Sequence, residues 1–396
     1  MPDRITLVTA LQGAGWHPAA WRTAGPAAQR LTSLRHWRDV VVEQDRLGVD
    51  AVTIEDSFTA GPVDAAGDLD TSTVVGRLDA LLVANAVAPA TRALGLVPTV
   101  SVTHTEPFHV ATGLQTLDHV SQGRAGWRIQ VSPTPREAAL FGRRPGGDEA
   151  ATLFDEAREV AEVVSRLWDS WDDDAIIRDV ATGRFIDRDR IHNAAFAGAF
   201  VSVHGASIVP RSPQGRPPVF SLAHRADAAA FAVDAADVVL VTPGYEGREA
   251  RDLLDEVRHL EQAAGSDVRR PVLADLAVLI GSSSAAAADA LASLDTAAGA
   301  PYASTSDTSV LATTVPELVT LIGDLRDLGF AGVRLRPLRI PLDSTAIARE
   351  LVPALVTAGL RADVASRPTA DLRTRLGIAP AVSRYASASA PVEVSA

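Results

Sequence analysis

Neither cysteine nor lysine occurs among the 396 residues. Without thiols there is no disulfide, no thiolate nucleophile, no iron–sulfur cluster and no cysteine-bound zinc. Without lysine, Schiff-base chemistry and the phosphate-binding lysine of a P-loop drop out as well. The 37 strongly basic side chains are therefore all arginines, set against 49 acidic ones, for a formal net charge of −12. Such a chain lacks the basic stripe that neutralises phosphates. With aromatics at only 5% it also lacks stacking platforms, so no nucleic-acid partner is expected. No run of about 20 apolar residues is present, and no membrane span is expected. The opening MPDRITLVTALQ has no basic flank, long apolar core or cleavage site, so a cytoplasmic location is the expectation. No pair of histidines has the H-x-x-x-H spacing of a helical metal site. The acidic cluster Asp169, Asp172, Asp173 and Asp174 lacks the glycine turn of a metal loop and reads as a solvated face, so no metal is expected.

What is present suits a large folded core: 47% hydrophobic residues and only 22% charged ones. Apolar β-branched runs alternate with amphipathic stretches along most of the chain. Strands are read at 4–11, 50–56, 94–101, 126–132, 218–225, 236–243, 272–281 and 331–338. Helices are read at 31–48, 76–89, 106–123, 151–171, 245–265, 284–297, 315–329 and 344–359, with a short one after 225. Eight strands with intervening helices in one chain of this length point to an α/β fold, a (β/α)8 TIM barrel in a single domain over 1–380. Two stretches break the alternation, 172–218 and 298–314, and both are read as insertions at the carboxyl end of the strands, closing over a site as lids. The tail 381–396 has a low-complexity composition and is expected to be disordered.

Polar residues gather where strands end, which is where parallel α/β folds bind ligands. Asp56 and Ser57 end the second strand, Ser101, Thr103 and His104 follow the third, and Arg128, Gln130 and Ser132 share a face of the fourth. Of Ser101 and Thr103, only one is expected to point inward. Gly13 and Gly15 lack the third glycine of a dinucleotide fingerprint, so nicotinamide binding is not indicated.

Several collinear strings give the chain a family likeness: HPAAWR (17–22), TIEDS (53–57), the long stretch 77–127, RLWDSW (166–171), VPRSPQGRPPV (209–219), PELVTLIGDLRDLGFAGVRLRP (316–337) and DLRTRLGI (371–378). Together they resemble the bacterial-luciferase-like flavin monooxygenase superfamily, and within it the group of nitrilotriacetate monooxygenase, pristinamycin synthase and dibenzothiophene-sulfone monooxygenase. The resemblance implies a barrel that takes reduced FMN from a separate, transiently bound flavin reductase and uses O2 to oxidise a small organic substrate. A homodimer is compatible with it. Two alternatives stay open: a deazaflavin-dependent hydride-transfer oxidoreductase of the same superfamily, and a flavin-binding or flavin-free relative without monooxygenase activity. The substrate is not readable.

Carried over residue by residue, the resemblance assigns Asp56, Ser57, Ser101, Thr103, Arg128, Gln130 and Ser132 to the cofactor. Beside that reading stands a structural one: Asp56 and Ser57 also suit an N-cap, and Arg128 suits an ion pair with Glu55 or Asp56. The sequence departs from the family twice. Arg128 stands where the family has an asparagine after the tryptophan. After the fifth strand, Ser221-Leu222-Ala223-His224-Arg225 replaces a glycine-containing phosphate site, so Ala223, His224 and Arg225 are expected at the FMN phosphate, with Arg225 supplying a bidentate contact. His17, in a loop with Trp16 and Trp21, and His104 are the catalytic candidates. His109, inside a helix, is a lesser one, and His192 and His204 in the 172–218 stretch read as satisfying loop backbone.

Overall fold

The computed structural model describes residues 4–63, 67–142, 144, 149–363 and 370–386. The first apolar run becomes β1 (Thr6–Leu11), followed by α1 (Leu34–Leu47), β2 (Ala51–Ile54), α2 (Ala80–Val87), β3 (Gly95–Ser101), α3 (Pro107–Ser121) and β4 (Trp127–Gln130). A short α4 (Pro135–Phe141) and a long α5 (Ala150–Asp169) come next, then two hairpins, β5 (Ile176–Asp179) with β6 (Arg184–Ile186) and β7 (Phe196–Ala197) with β8 (Ser202–Val203). The alternation resumes with β9 (Val219–Leu222), α6 (Ala226–Ala235), β10 (Val238–Val241), α7 (Ala250–Ala263), β11 (Val272–Ile280), α8 (Ser284–Ala298), β12 (Val310–Thr313), α9 (Val315–Leu328) and β13 (Gly332–Pro337). The chain then runs through α10 (Leu342–Ala346), a π turn over 347–351 and α11 (Val352–Thr357) to α12 (Leu372–Arg375).

Eight of these strands close a parallel barrel in the order β1-β2-β3-β4-β9-β10-β11-β13 and back to β1. They are the eight expected from the apolar runs, and the (β/α)8 barrel is the observed fold. Closure brings Gly332 opposite Thr6, where a Cβ would lie 2.1 Å from the Thr6 carbonyl oxygen, so the seam tolerates only glycine. Helix ends follow local chemistry. For α9, Thr314 and Glu317 form a reciprocal capping box and Gly329 takes the left-handed C-cap. For α1, Ser33 accepts the His36 N–H and Gly48 closes the helix in the same left-handed way.

The barrel interior has two tiers. Towards the amino-terminal end it is apolar: Val8, Ala51, Val97, Phe220, Val238, Leu240 and Leu273 are buried together, with Leu372 and Leu376 of α12 and its flank packed among them as a plug. Towards the carboxyl end the same inward positions, two residues further along each strand, become Thr53, Thr99, Asp275 and Arg334. That switch puts charge where the cleft opens.

The two irregular stretches lie at opposite ends. The 298–314 segment belongs to the β11–β13 connection, and its β12 pairs in parallel with the upper half of β11 (Ala277↔Val310 to Ile280↔Thr313), at the carboxyl end as expected. The 172–218 stretch does not. It follows α5 and precedes β9, so it connects a helix end to a strand start. It hydrogen-bonds to Asp118 and His119 near the end of α3, to Ser170 and Asp169 at the end of α5, and through Gln214 to the Ala125 carbonyl just before β4. It therefore packs at the amino-terminal end, and the lid expected there is withdrawn. Within the tail, Arg211 and Arg216 donate to the carbonyls of Ala381 and Val382, Arg384 pairs with Glu162, and Tyr385 stacks on His192 at 4.0 Å between centroids. Residues 381–386 are thus docked rather than disordered, and 387–396 lie outside the described residues.

Candidate active site

The charged tier forms one connected network. Arg334 and Arg336 sit two residues apart on β13, so both turn inward, and they are 0% and 1% exposed. Asp275, the single charge of β11, accepts from both, at 2.6 Å from Arg334 Nη1 and from Arg336 Nη2, with a second bond from Arg336 Nε at 2.9 Å. Glu55 takes Arg128 Nη1 at 2.9 Å and also pairs with Arg334. Asp307, on the 298–314 segment, closes the chain on Arg336. Three guanidiniums thus face three carboxylates, the balance that burial of charge demands. The Trp16 ring covers the top, 4.6 Å from the Arg336 guanidinium carbon.

Electrostatics follow from that geometry. Burial opposes ionisation of Glu55, but Arg128, Arg334 and Arg336 outweigh it and hold its carboxyl below the usual range. Asp307 is held down in the same way, burial being overridden chiefly by Arg336. Burial pushes the Asp56 carboxyl up, although its bonds from the Ala80 and Ser57 N–H groups work against that. His224 is pushed down by burial and favours the neutral imidazole.

Above this floor lies a cavity of about 620 Å³ lined by Trp16, Glu55, Asp56, Ser57, Arg128 and Gln130 among others. A second cavity, about 310 Å³, is lined by Ser221, His224, Arg225 and Phe154. Arg128, Gln130 and Asp307 line both, so the two adjoin in one cleft at the carboxyl end of the barrel. Of the expected cofactor residues, the cleft brings together Asp56, Ser57, Arg128, Gln130, His224 and Arg225. Arg128 makes the ion pair with Glu55 and also donates to Thr99 and Gln130. Asp56 accepts from the Ala80 N–H at 2.8 Å at the start of α2, whose N-cap is Asp79, while also lining the cleft. The ion-pair reading of Arg128 is therefore realised and the N-cap reading of Asp56 and Ser57 is not, because Asp79 holds that position, and all three residues still line the cleft wall.

Other expected residues lie elsewhere. Ser101 and Thr103 both turn to Ser132: the Ser101 and Ser132 hydroxyls are 2.7 Å apart, and the Ser132 N–H donates to Thr103 Oγ1 at 2.9 Å. The expectation that only one points inward fails because residues two apart share a face. Ser101 borders a smaller pocket of about 210 Å³ that shares Asp56 and Ser57 with the larger cavity. Ala223 is buried and its N–H donates to Leu240. His17 does not line the cleft. It is 1% exposed, 3.1 Å from Asp295 of α8 and tilted against Tyr302, and it accepts the Ala19 N–H, which makes it a tie between the β1 loop and α8. His104 stacks flat on Phe141 at 4.6 Å with Phe58 beside it, an aromatic wall joining the loops after β2 and β3 to α4. His192 is bound to Asp172 and His204 to Asn193 in the distant 172–218 stretch.

Sequence reasoning missed Asp275, Asp307, Arg334 and Arg336. A signal existed for three of them. A lone aspartate inside VLADLAVLI and two arginines at period two inside GVRLRP are costly unless they meet one another.

The luciferase-like monooxygenase family matches residues 14–331, and the chain belongs to it. It is similar to N-acetyl-S-(2-succino)cysteine monooxygenase of Bacillus subtilis, 29% identical over 283 residues that cover 69% of this chain and 62% of that protein. It is also similar to nitrilotriacetate monooxygenase component A of Aminobacter aminovorans, 32% identical over 220 residues covering 54% of this chain and 48% of that protein. The matched stretches thus span about half to three-fifths of these relatives. A riboflavin lyase structure holding a modified FMN and riboflavin superposes with a TM-score of 0.82 at 21% identity, covering 94% of this chain and 96% of that one, a likeness of fold.

Proposed function

We propose that this chain is the oxygenase of a two-component flavin monooxygenase, receiving reduced FMN from a separate reductase and oxidising a small organic substrate with O2. The cleft carries this reading: two adjoining cavities at the ligand-binding end of the barrel, sharing Arg128, in a chain of the luciferase-like monooxygenase family. The residues present fit an anionic, planar cofactor. Among the described residues Arg128 Nε and His224 Nδ1 are buried without a hydrogen-bond partner, one at the junction of the cavities and one in the smaller. Buried polar atoms of that kind ask for a ligand.

When bound, reduced FMN supplies the two electrons used on O2. Arg128 and Gln130 would meet the polar edge of the ring system, and the Glu55 partner keeps the Arg128 guanidinium fixed in direction. Arg225, exposed and only 3.5 Å from its Asp227 neighbour, would take the phosphate beside the first turn of α6. Asp307, on the 298–314 segment, lines both cavities and would limit water access.

Anaerobic titration of the flavin-free protein with photoreduced and with oxidised FMN tests this. The expected result is tighter binding of the reduced form by about tenfold or more, weakened in Arg225→Ala. Binding of neither form defeats the flavin reading. Binding of a reduced deazaflavin alone moves the protein to hydride transfer.

A further inference from the structure

Most charges around the larger cavity are already matched. Arg128 answers Glu55, Arg336 answers Asp275 and Asp307, and Asp56 spends its carboxylate on the N–H groups of Ser57 and Ala80. Two lining guanidiniums stand outside these pairings, Arg77 just ahead of α2 and Arg136 in the first turn of α4. Both are exposed, and among the described residues neither has a carboxylate within ion-pair distance. Among the described residues Arg136 donates only to the Gly67 carbonyl, at 3.4 Å. Arg77 is near enough to favour the Asp56 carboxylate electrostatically without bonding to it. They rise from the loop after β2 and from the start of α4, on the rim of one cavity whose floor is charge-balanced.

The chain as a whole carries −12, which by itself repels small anions. At physiological salt, charges beyond about 8 Å are largely screened, so the local rim decides what enters. Trp16 lies below, with its ring over Arg336 and its Nε1 tied to the Ala10 carbonyl, offering a fixed flat surface inside the same cavity. An unpaired guanidinium prefers the planar two-oxygen face of a carboxylate or sulfonate.

We infer that the larger cavity selects a small organic anion, with Arg77 and Arg136 receiving its carboxylate or sulfonate and Trp16 supporting its carbon frame. The inference rests on the preceding reading for the reaction and adds the substrate class. It does not depend on that reading for binding itself. The anion could instead be the cofactor's own phosphate, which the test separates from an organic substrate.

The full-length, flavin-free protein is titrated calorimetrically with benzoate, benzenesulfonate and the neutral isostere benzamide. Wild type should bind both anions at least about tenfold more tightly than benzamide. Arg77→Gln and Arg136→Gln should each weaken benzoate several-fold, and the double variant should lose the preference for anion over amide. Because neither arginine is buried or paired, the thermal midpoint should not move, which separates lost binding from lost folding. Equal affinity for benzamide, no binding of either anion, or a double variant that keeps the preference would overturn the inference. So would loss of reduced-FMN binding in the double variant, which would reassign the pair to the cofactor phosphate. A wild type that prefers benzoate yet binds no reduced FMN would support the anion site while defeating the flavin reading.

Discussion

The 172–218 and 298–314 stretches look alike as strings: both are rich in small and polar residues and both interrupt a strand–helix alternation. In the barrel they do opposite things. The shorter one follows α8 but precedes α9, the helix that returns to the next barrel strand, so it lies at the carboxyl end, with β12 on the upper half of β11, and delivers Asp307 to Arg336 and the Thr308 hydroxyl to the Asp275 carbonyl. The longer one follows α5 and leads directly into β9, so it lies at the other end and is tied to the ends of α3 and α5 by Gln214, Ser207 and Arg211. Position in the βα repeat, rather than composition or length, decides whether an irregular segment reaches a barrel's active end.

The comparison breaks most sharply at the charge network beneath the shorter segment. Asp275→Asn removes the fully buried carboxylate that two arginines share. It should cost about 3–5 kcal/mol of stability in urea unfolding and should also loosen reduced-FMN binding, since Arg336 and Asp307 lose their anchor. A change under about 1 kcal/mol would show that the network is dispensable. At the other end, Arg211→Ala strips one partner from Asp169, which is 0% exposed but keeps Arg216 and Arg384 nearby. A loss of about 2 kcal/mol is expected, with the affinity for reduced FMN unchanged within about twofold. A larger effect on flavin binding than on stability would restore a site role to 172–218.

The smallest effect is expected at Asp307→Asn, within about 1 kcal/mol, because that side chain is 39% exposed and solvent screens its pair. Its pH dependence identifies it. Arg336 depresses the folded pKa of Asp307, so its contribution is fully present above the unfolded value near about 3.9 and is lost as pH falls through the lower folded value. The stability gap between wild type and the variant should therefore close on acidification below about pH 4, measured by urea unfolding across pH. A gap that widens there would contradict the depressed carboxyl.

Much of this protein was legible from local pattern. The eight barrel strands follow from apolar β-branched runs, and the helices between them from amphipathic spacing. The collinear strings carried the family. Several short elements escaped, α4 and β12 among them. In α4, the Thr134-to-Glu137 capping pair was in plain view but spans only seven residues. In β12, the four residues are mostly half-buried and pair only with the upper half of β11, so no strong alternation marks them. At the site, Arg128 and Gln130 could be placed on one face because a strand's period is local. What paired with Arg128 could not, and neither could the docking of His17 on Asp295, 278 residues away. The eight barrel strands and the long helices between them are set by the chain's own local pattern, because those preferences act over a few residues. Only the tertiary structure decided which charges neutralise one another and which arginines are left at the rim, because Asp275, Arg334, Glu55 and Arg128 meet only when strands from both halves of the chain close into one ring.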